Sequence, residues 1–282
     1  MRTSALLLLS ALAAAGAEQG EPALAAPTLI VDPGPDRGAF WRNFDGIPTI
    51  ERSPKGRMWA AWYGGGPGEG PFNDIFVVRG DANGENWSAP ILTVDAPGFI
   101  RAFDPCLWVD PQGRMWLFWA QALARWDGRG GVWYTRSDNP DTAKPTWTPP
   151  RRISDGVMLN KPIVDSRGRW LLPIGQWDRP PSIEATNKSH NLGLSPAAIE
   201  AGTHDPGPDR GISFVYESTD KGRSFRRVGG AKIPEIGHNE HMVVERRDGS
   251  LWMLARTLFG LGDSVSRTQG FRTRSAGSFC GG

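Results

Sequence analysis

Pro111-Gln112-Gly113-Arg114-Met115-Trp116-Leu117-Phe118-Trp119 decides the fold, because the chain writes this unit more than once. Pro54-Lys55-Gly56-Arg57-Met58-Trp59 leads into Ala60-Ala61-Trp62-Tyr63, and Ser166-Arg167-Gly168-Arg169-Trp170 leads into Leu171-Leu172-Pro173-Ile174. Arg247-Asp248-Gly249-Ser250-Leu251-Trp252 leads into Met253-Leu254-Ala255. In each copy a polar turn, with a glycine free to take positive φ, opens an apolar run that suits a buried strand. The first two intervals between turn glycines are nearly equal, and the longer third one contains a polar, helix-breaking insertion from about Asp178 to Arg210. A repeat of about 40 to 55 residues with four short strands per unit is the signature of a β-propeller blade rather than of a helical solenoid. Blade three, for instance, supplies strands near Pro162 to Asp165, Trp170 to Gly175, Ile212 to Ser218 and Ser224 to Val228. The expectation is an all-β chain holding about four blades.

Composition agrees. Thirty-six Gly, 24 Pro and 13 Trp in 282 residues suit many short strands joined by tight turns in one large domain. A net charge of +2 gives no electrostatic case for nucleic acid or an anionic membrane, so any anion site must come from a local arginine cluster. The chain opens with Arg2, an apolar run from Ala5 to Ala15 and the small-x-small triplet Ala15-Gly16-Ala17. That pattern reads as a signal peptide over residues 1–17, with Ala25-Ala26 as an alternative cleavage site, and predicts a secreted or periplasmic protein. No later segment approaches the ~20 apolar residues of a membrane span. Cys106 in an apolar strand and Cys280 near the end are the only cysteines, so no structural disulfide is expected. No metal, cofactor or specific protein partner is expected either.

Ser218-Thr219-Asp220-Lys221-Gly222-Arg223-Ser224-Phe225 connects the third and fourth strands of blade three. Ser218 and Asp220 can accept hydrogen bonds from the turn backbone, Gly222 can take positive φ, and Phe225 can pack back between blades. Asp220 therefore reads as a turn staple rather than a catalyst. Blade one carries a weaker copy, Arg79 to Trp87, with Ala82 where the aspartate is expected, and blade two substitutes Ser137-Asp138-Asn139-Pro140 and a longer turn ending at Trp147.

Strands in a blade alternate in direction, so these turns share one face of the propeller. The Gly64–Asn73 loop, the Gln121–Gly131 loop and the 178–210 insertion fall on the other, which makes that rim the expected binding face. Superposing the repeats on their glycines brings Asp104, Asn160 with Lys161, and Glu240 to one level of the rim, and Tyr63, Gln121, Gln176 and Arg256 to another. The hairpin from Asn239 to Arg256 has two registers open to it. A two-residue Asp248-Gly249 loop sets Arg256 opposite His241, whereas a three-residue turn sets it opposite Glu240.

The Ser218–Phe225 motif matches the Asp-box, and together with Asn239-Glu240, Asp248-Gly249 and Arg256 it makes the chain resemble the sialidase superfamily over roughly residues 40 to 262. The resemblance implies a six-bladed propeller, with a C-terminally incomplete copy here. It also implies a retaining exo-glycosidase with a tyrosine nucleophile assisted by a glutamate, an aspartate acid/base and three arginines clamping the substrate carboxylate. Position by position, Glu240 corresponds to the assisting glutamate and Arg256 to the second clamp arginine. Asp74, in Asn73-Asp74-Ile75, corresponds to the acid/base, with Asp104 as its competitor. Where the family shows Phe-Arg-Ile-Pro, this chain has Phe44-Asp45-Gly46-Ile47-Pro48, leaving Arg42 or Arg101 to replace the first clamp arginine. The third arginine and the nucleophilic tyrosine belong to later blades, which this chain does not supply. After Gly262 the repeat stops, so the propeller is drawn over 27–262 and a degenerate tail over 263–282.

The functional expectation is hydrolysis of a terminal sugar, anionic or otherwise, with carbohydrate as the only partner class. Two alternatives stand beside it. One is a propeller with other polysaccharide chemistry, using His241, His190 or His204 as acid/base; the other is a non-catalytic propeller that stacks sugars on tryptophan, although most tryptophans fall at positions that belong between blades.

Overall fold

The computed structural model describes residues 21–34 and 43–267. The expected signal segment, Arg42, Cys280 and most of the expected tail lie outside the described residues.

The repeated glycine turns adopt the conformation their sequence requires, with φ of +92°, +77°, +76° and +76° at Gly56, Gly113, Gly168 and Gly249. Each joins two antiparallel strands. In blade two these are β6 (Ile100–Val109) and β7 (Met115–Leu123), continued by β8 (Val132–Ser137) and β9 (Arg151–Ser154) in a four-stranded sheet. Blade one contains β1 (Thr28–Val31), β2 (Asp45–Arg52), β3 (Met58–Gly64), β4 (Asp74–Arg79) and β5 (Leu92–Asp95), ordered β1-β5-β4-β3-β2. Blade three is β10 (Ile163–Val164), β11 (Trp170–Gly175), β12 (Ile212–Ser218) and β13 (Arg226–Lys232), close to the strands expected for it. Blade four has three strands among the described residues, β14 (His241–Glu245), β15 (Leu251–Thr257) and β16 (Gly260–Ser266). β16 runs across the boundary drawn at residue 262, because Asp263 to Ser266 continue the antiparallel ladder with β15.

Acidic side chains fasten the turns. Asp110 accepts from the backbone N–H of Gln112 (2.8 Å) and Arg114 (3.0 Å), and from Arg114 Nε and Trp116 Nε1. Asp165 repeats this with Arg167 and Arg169. In the Asp-box, Gly222 N–H donates to Ser218 Oγ, and Asp220 accepts from Ser218 Oγ, Ser224 Oγ and the N–H groups of Arg223 and Ser224. A side chain at Gly222 would collide with the rings of Trp116 and Trp170, and Phe225 packs edge-on to Trp116 and Tyr134. Blade one solves the missing aspartate by a one-residue shift: Asp81 accepts from the N–H groups of Asn83 and Glu85 and from Asn86 Nδ2. In blade two Asn139 Oδ1 takes the same part, accepting from Ser137 Oγ and Thr146 N–H.

Tryptophans fill the spaces between blades, as the sequence expects. Trp59 and Trp119 belong to the core that joins blades one and two, Trp116 and Trp170 to the core of blades two and three, and Leu171, Val215, Val243 and Met253 join blades three and four. Burial on this scale is the main stabilising term, worth about 3–5 kcal/mol for each such aromatic. On the other face of blade four Met242, Val244 and Leu261 are exposed.

The segment after β11 needs a correction. It is not helix-breaking: α1 (Ile183–His190) and α2 (Pro196–Gly202) form within it. Ser195 accepts from Ala198 N–H, Pro196 sits in the first turn, and Asn191 closes α1 in the left-handed conformation. These capping residues were the signal that polarity obscured. Ile183 anchors the strap in the blade one–two core, and His190 lies against Phe72 of the Gly64–Asn73 loop.

Candidate functional site

Two bulges shape the rim. β6 skips register between Phe103 and Cys106, and β2 does so between Gly46 and Thr49. Each bulge holds a non-glycine residue at positive φ before a proline, Asp104 (+50°) before Pro105 and Ile47 (+33°) before Pro48. Proline cannot donate to the ladder, and the positive φ of the residue before it, which a following proline does not favour, is a strained conformation of the kind that concentrates at functional sites. Both bulge residues line a cleft of about 520 Å³. Blade one adds Tyr63 and Glu69, blade two Arg101, Arg125 and Trp126, the strap Trp177, Arg179, Pro180 and Ser182, and blade four His238, Glu240 and Arg256.

Charge is arranged unevenly in this cleft. Arg101 is 3% exposed, its guanidinium 3.7 Å above the Phe103 ring centre, and its Nε and Nη1 have no hydrogen-bond partner. Among the described residues the carboxylate paired with it is Glu69, whose Oε2 lies 4.0 Å from Nη1. Asp104 is buried, with no donor to its carboxylate among the described residues, and burial pushes its pKa up to about 7. Arg101 opposes that rise, while Glu240 and Glu69 add to it. Asp104 thus holds its proton through the acidic range and up to neutrality.

Tyr63 Oη donates to Glu69 Oε1 at 2.8 Å, and Arg125 Nη2 donates to Glu69 Oε2 at 2.9 Å. Burial, then Asp104 and Glu69, raises the Tyr63 pKa. For Glu69 burial acts upward, but the Tyr63 hydrogen bond and the charges of Arg101 and Arg125 outweigh it and hold the carboxylate below its ordinary value.

On the opposite wall, Arg256 Nη1 donates to both carboxylate oxygens of Glu240, at 3.0 and 2.9 Å. The hairpin register decides this: His241 pairs with Ala255, and Arg246 N–H bonds to Ser250 O across the three-residue turn, so Glu240 meets Arg256. His238 stacks edge-on to Trp177 with ring centres 4.7 Å apart, and its Nδ1 lies 3.4 Å from Arg179 Nη2. Burial and Arg179 lower its pKa, which favours the neutral ring.

The other residues singled out from sequence are elsewhere. Asp74 pairs with Gly64 at the start of β4 and is not among the cleft-lining residues. Gln121 accepts from Trp119 Nε1, Gln176 Nε2 donates to Gly128 O, Asn160 Nδ2 donates to His241 O, and Lys161 Nζ bonds to Glu51 and Ile50 O. These polar groups tie loops and blades together. His241 is buried with Nε2 2.8 Å from Phe214 O, while His204 pairs with Glu21 and His190 sits on the strap. Sequence reasoning passed over Glu69, Arg125, Arg179 and His238. Glu69 had one signal, an acidic residue inside the glycine-rich loop, and His238 another, its position directly before Asn239-Glu240.

The family model for the BNR repeat-like domain matches residues 56–273. No curated protein sequence matches this one. Among solved structures, a Dyadobacter fermentans protein of unknown function superposes with a TM-score of 0.59 at 16% identity, covering 83% of this chain and 68% of its own. The leech intramolecular trans-sialidase, crystallised with 2,7-anhydro-Neu5Ac, gives 0.60 at 12% identity, over 91% of this chain and 53% of its own. The NanB sialidase of Streptococcus pneumoniae gives 0.56 at 12% identity, over 87% and 53%. The chain thus spans about half the length of these two enzymes. At such identities the likeness is one of fold, and the fold is the sialidase-type β-propeller. With the repeat, the Asp-box geometry and the family match together, the chain belongs to the BNR repeat-like family of the sialidase superfamily.

Proposed function

We propose that the cleft hydrolyses the glycosidic bond of a terminal anionic sugar, and that the protein acts outside the cytoplasm. The observation that carries this reading is Asp104, a buried carboxyl with a pKa of about 7, beside the unpaired guanidinium nitrogens of Arg101. A carboxylic acid that keeps its proton near neutrality is suited to general-acid catalysis, and an unpaired guanidinium fork is suited to a carboxylate.

In this reading the sugar carboxylate sits at Arg101 and Arg125. Asp104 gives its proton to the departing glycosidic oxygen as the C–O bond breaks. Tyr63 Oη forms a bond to the anomeric carbon and passes its own proton to Glu69. Water then attacks the same carbon and loses a proton to the Asp104 carboxylate, and the released phenolate recovers its proton from Glu69. Tyr63 and Glu69 take the places that family resemblance assigns to a later-blade tyrosine and to Glu240. Glu240, held by Arg256, contributes negative charge that helps keep Asp104 protonated.

Chromogenic glycosides of N-acetylneuraminic acid and glucuronic acid test the proposal. The wild type is expected to cleave at least one and Asp104→Asn to lose nearly all of that activity; no cleavage by the wild type, or full activity in Asp104→Asn, defeats it. A second reading, sugar binding without turnover, is favoured by the raised Tyr63 pKa, since a phenol that resists ionisation is a poor nucleophile. Retained binding of these sugars with no hydrolysis would select it.

A further inference from the structure

We propose that Glu69 is a built-in counter-anion for Arg101 and Arg125, and that a ligand carboxylate primes Tyr63 by displacing Glu69 from them. The inference rests on the glycosidase reading for its catalytic meaning but on separate geometry for its substance.

The two oxygens of Glu69 have different partners. Oε1 accepts the Tyr63 hydroxyl at 2.8 Å, and Oε2 faces Arg125 at 2.9 Å and Arg101 at 4.0 Å. Glu69 is thus the only carboxylate paired with either guanidinium among the described residues. It serves Arg101 poorly, because Arg101 Nε and Nη1 remain without a hydrogen-bond partner although the residue is 3% exposed. Buried guanidinium nitrogens in that state call for an acceptor that the described residues do not supply. A planar carboxylate can meet them two at a time, which Glu69 at 4.0 Å does not.

The exchange needs a side-chain rotation only. Asn73 holds the loop backbone, donating from Nδ2 to Gly65 O and Gly68 O and accepting from Gly70 N–H. The Glu69 side chain itself is 36% exposed. Two carboxylates on one pair of guanidiniums repel each other, so an arriving anion weakens the hold on Oε2. Without the attraction of Arg101 and Arg125, Glu69 becomes a stronger base. The proton nearest to it is on Tyr63 Oη, which Oε1 can draw off as the hydroxyl oxygen bonds to the anomeric carbon, so no free phenolate forms. A neutral glycoside leaves Glu69 in place and Tyr63 protonated, so binding of the anion, not the shape of the sugar ring, sets the specificity.

Calorimetric titration with N-acetylneuraminic acid and with its methyl ester tests this on wild type and Glu69→Gln. Removing the internal competitor should tighten binding of the acid about tenfold and leave the ester unchanged. A direct ligand contact by Glu69 would instead make Glu69→Gln bind the acid more weakly; that result, unchanged affinity, equal gains for acid and ester, or no binding to either form overturns the proposal. A second measurement needs no variant. Near pH 5, binding of the acid to wild type, compared in two buffers of different ionisation enthalpy, should show proton uptake as the Glu69 pKa rises, and its absence overturns the proposal. Neither arm requires turnover, so a wild type that fails to hydrolyse sinks the glycosidase reading and leaves these results to judge the counter-anion.

Discussion

Asp220 and Asp104 are the same residue type on opposite faces of one propeller, and their surroundings drive them apart. Asp220 accepts four hydrogen bonds within its own turn, and those bonds, the Ser224 hydroxyl first, hold its pKa down to about 2. Asp104 sits at a bulge with no donor among the described residues, and burial lifts its pKa to about 7. A carboxylate saturated by backbone donors is structure. One that is buried with no donor among the described residues keeps its proton towards neutrality and is suited to chemistry. The arginines divide the same way: Arg114 and Arg169 are bonded to the turn carboxylates of Asp110 and Asp165, whereas Arg101 is buried with two nitrogens unpaired among the described residues.

The largest expected effect tests the rim side of this contrast. Asp104→Asn should lower kcat/KM for an anionic glycoside by about 10²–10⁴, the usual worth of a general acid, while Asp74→Asn stays within about threefold. Equal losses would return Asp74 to contention. Next is stability against pH. The folded-state pKa of Asp104 is raised above its unfolded value near 4, so its protonated form favours folding below that value, and the contribution fades as pH rises towards 7. Wild-type stability should therefore carry a downward component of about 1.4 kcal/mol per pH unit across that interval, absent from Asp104→Asn when the two are compared by urea unfolding.

The turn side predicts less. Asp220→Ala should cost about 1–2 kcal/mol in urea unfolding through loss of the turn bonds, with activity per folded molecule unchanged. Its pH effect has the opposite sign to that of Asp104: the depressed pKa stabilises above about 4 and is lost as pH falls towards 2. Smallest of all, Lys161→Met should shift stability by less than about 1 kcal/mol, because its ion pair with Glu51 is partly exposed, and should leave hydrolysis intact.

The two faces also differed in how much of them the sequence revealed. Turns are local, so Gly-Arg-Met-Trp and Ser-x-Asp-x-Gly-x-x-Phe announce themselves within a few residues, and the blades followed from their repetition. The hairpin pair Glu240–Arg256 was legible down to a choice of two registers. The rest of the cleft was not, because it is assembled from residues far apart in the chain. Tyr63 and Glu69 are linked by a loop, Arg101 and Asp104 by a bulge, and His238 and Arg179 meet across blades. Gln121, Gln176, Asn160 and Lys161 occupy the superposed rim positions and yet serve as staples, since repeat position fixes the level of a side chain and not the partner it finds. The helices of the strap were hidden for another reason: a polar composition was read as helix-breaking, although Ser195-Pro196 is a helix start.

The most direct test is the titration of Asp104 itself, followed by carbon-13 NMR of its side-chain carboxyl with Asp104→Asn to assign the signal. The account predicts a midpoint near 7, well separated from the other aspartates. A midpoint at the ordinary value near 4 would contradict it, because Asp104 would then be a charged, solvated carboxylate no different in kind from those on the turn face.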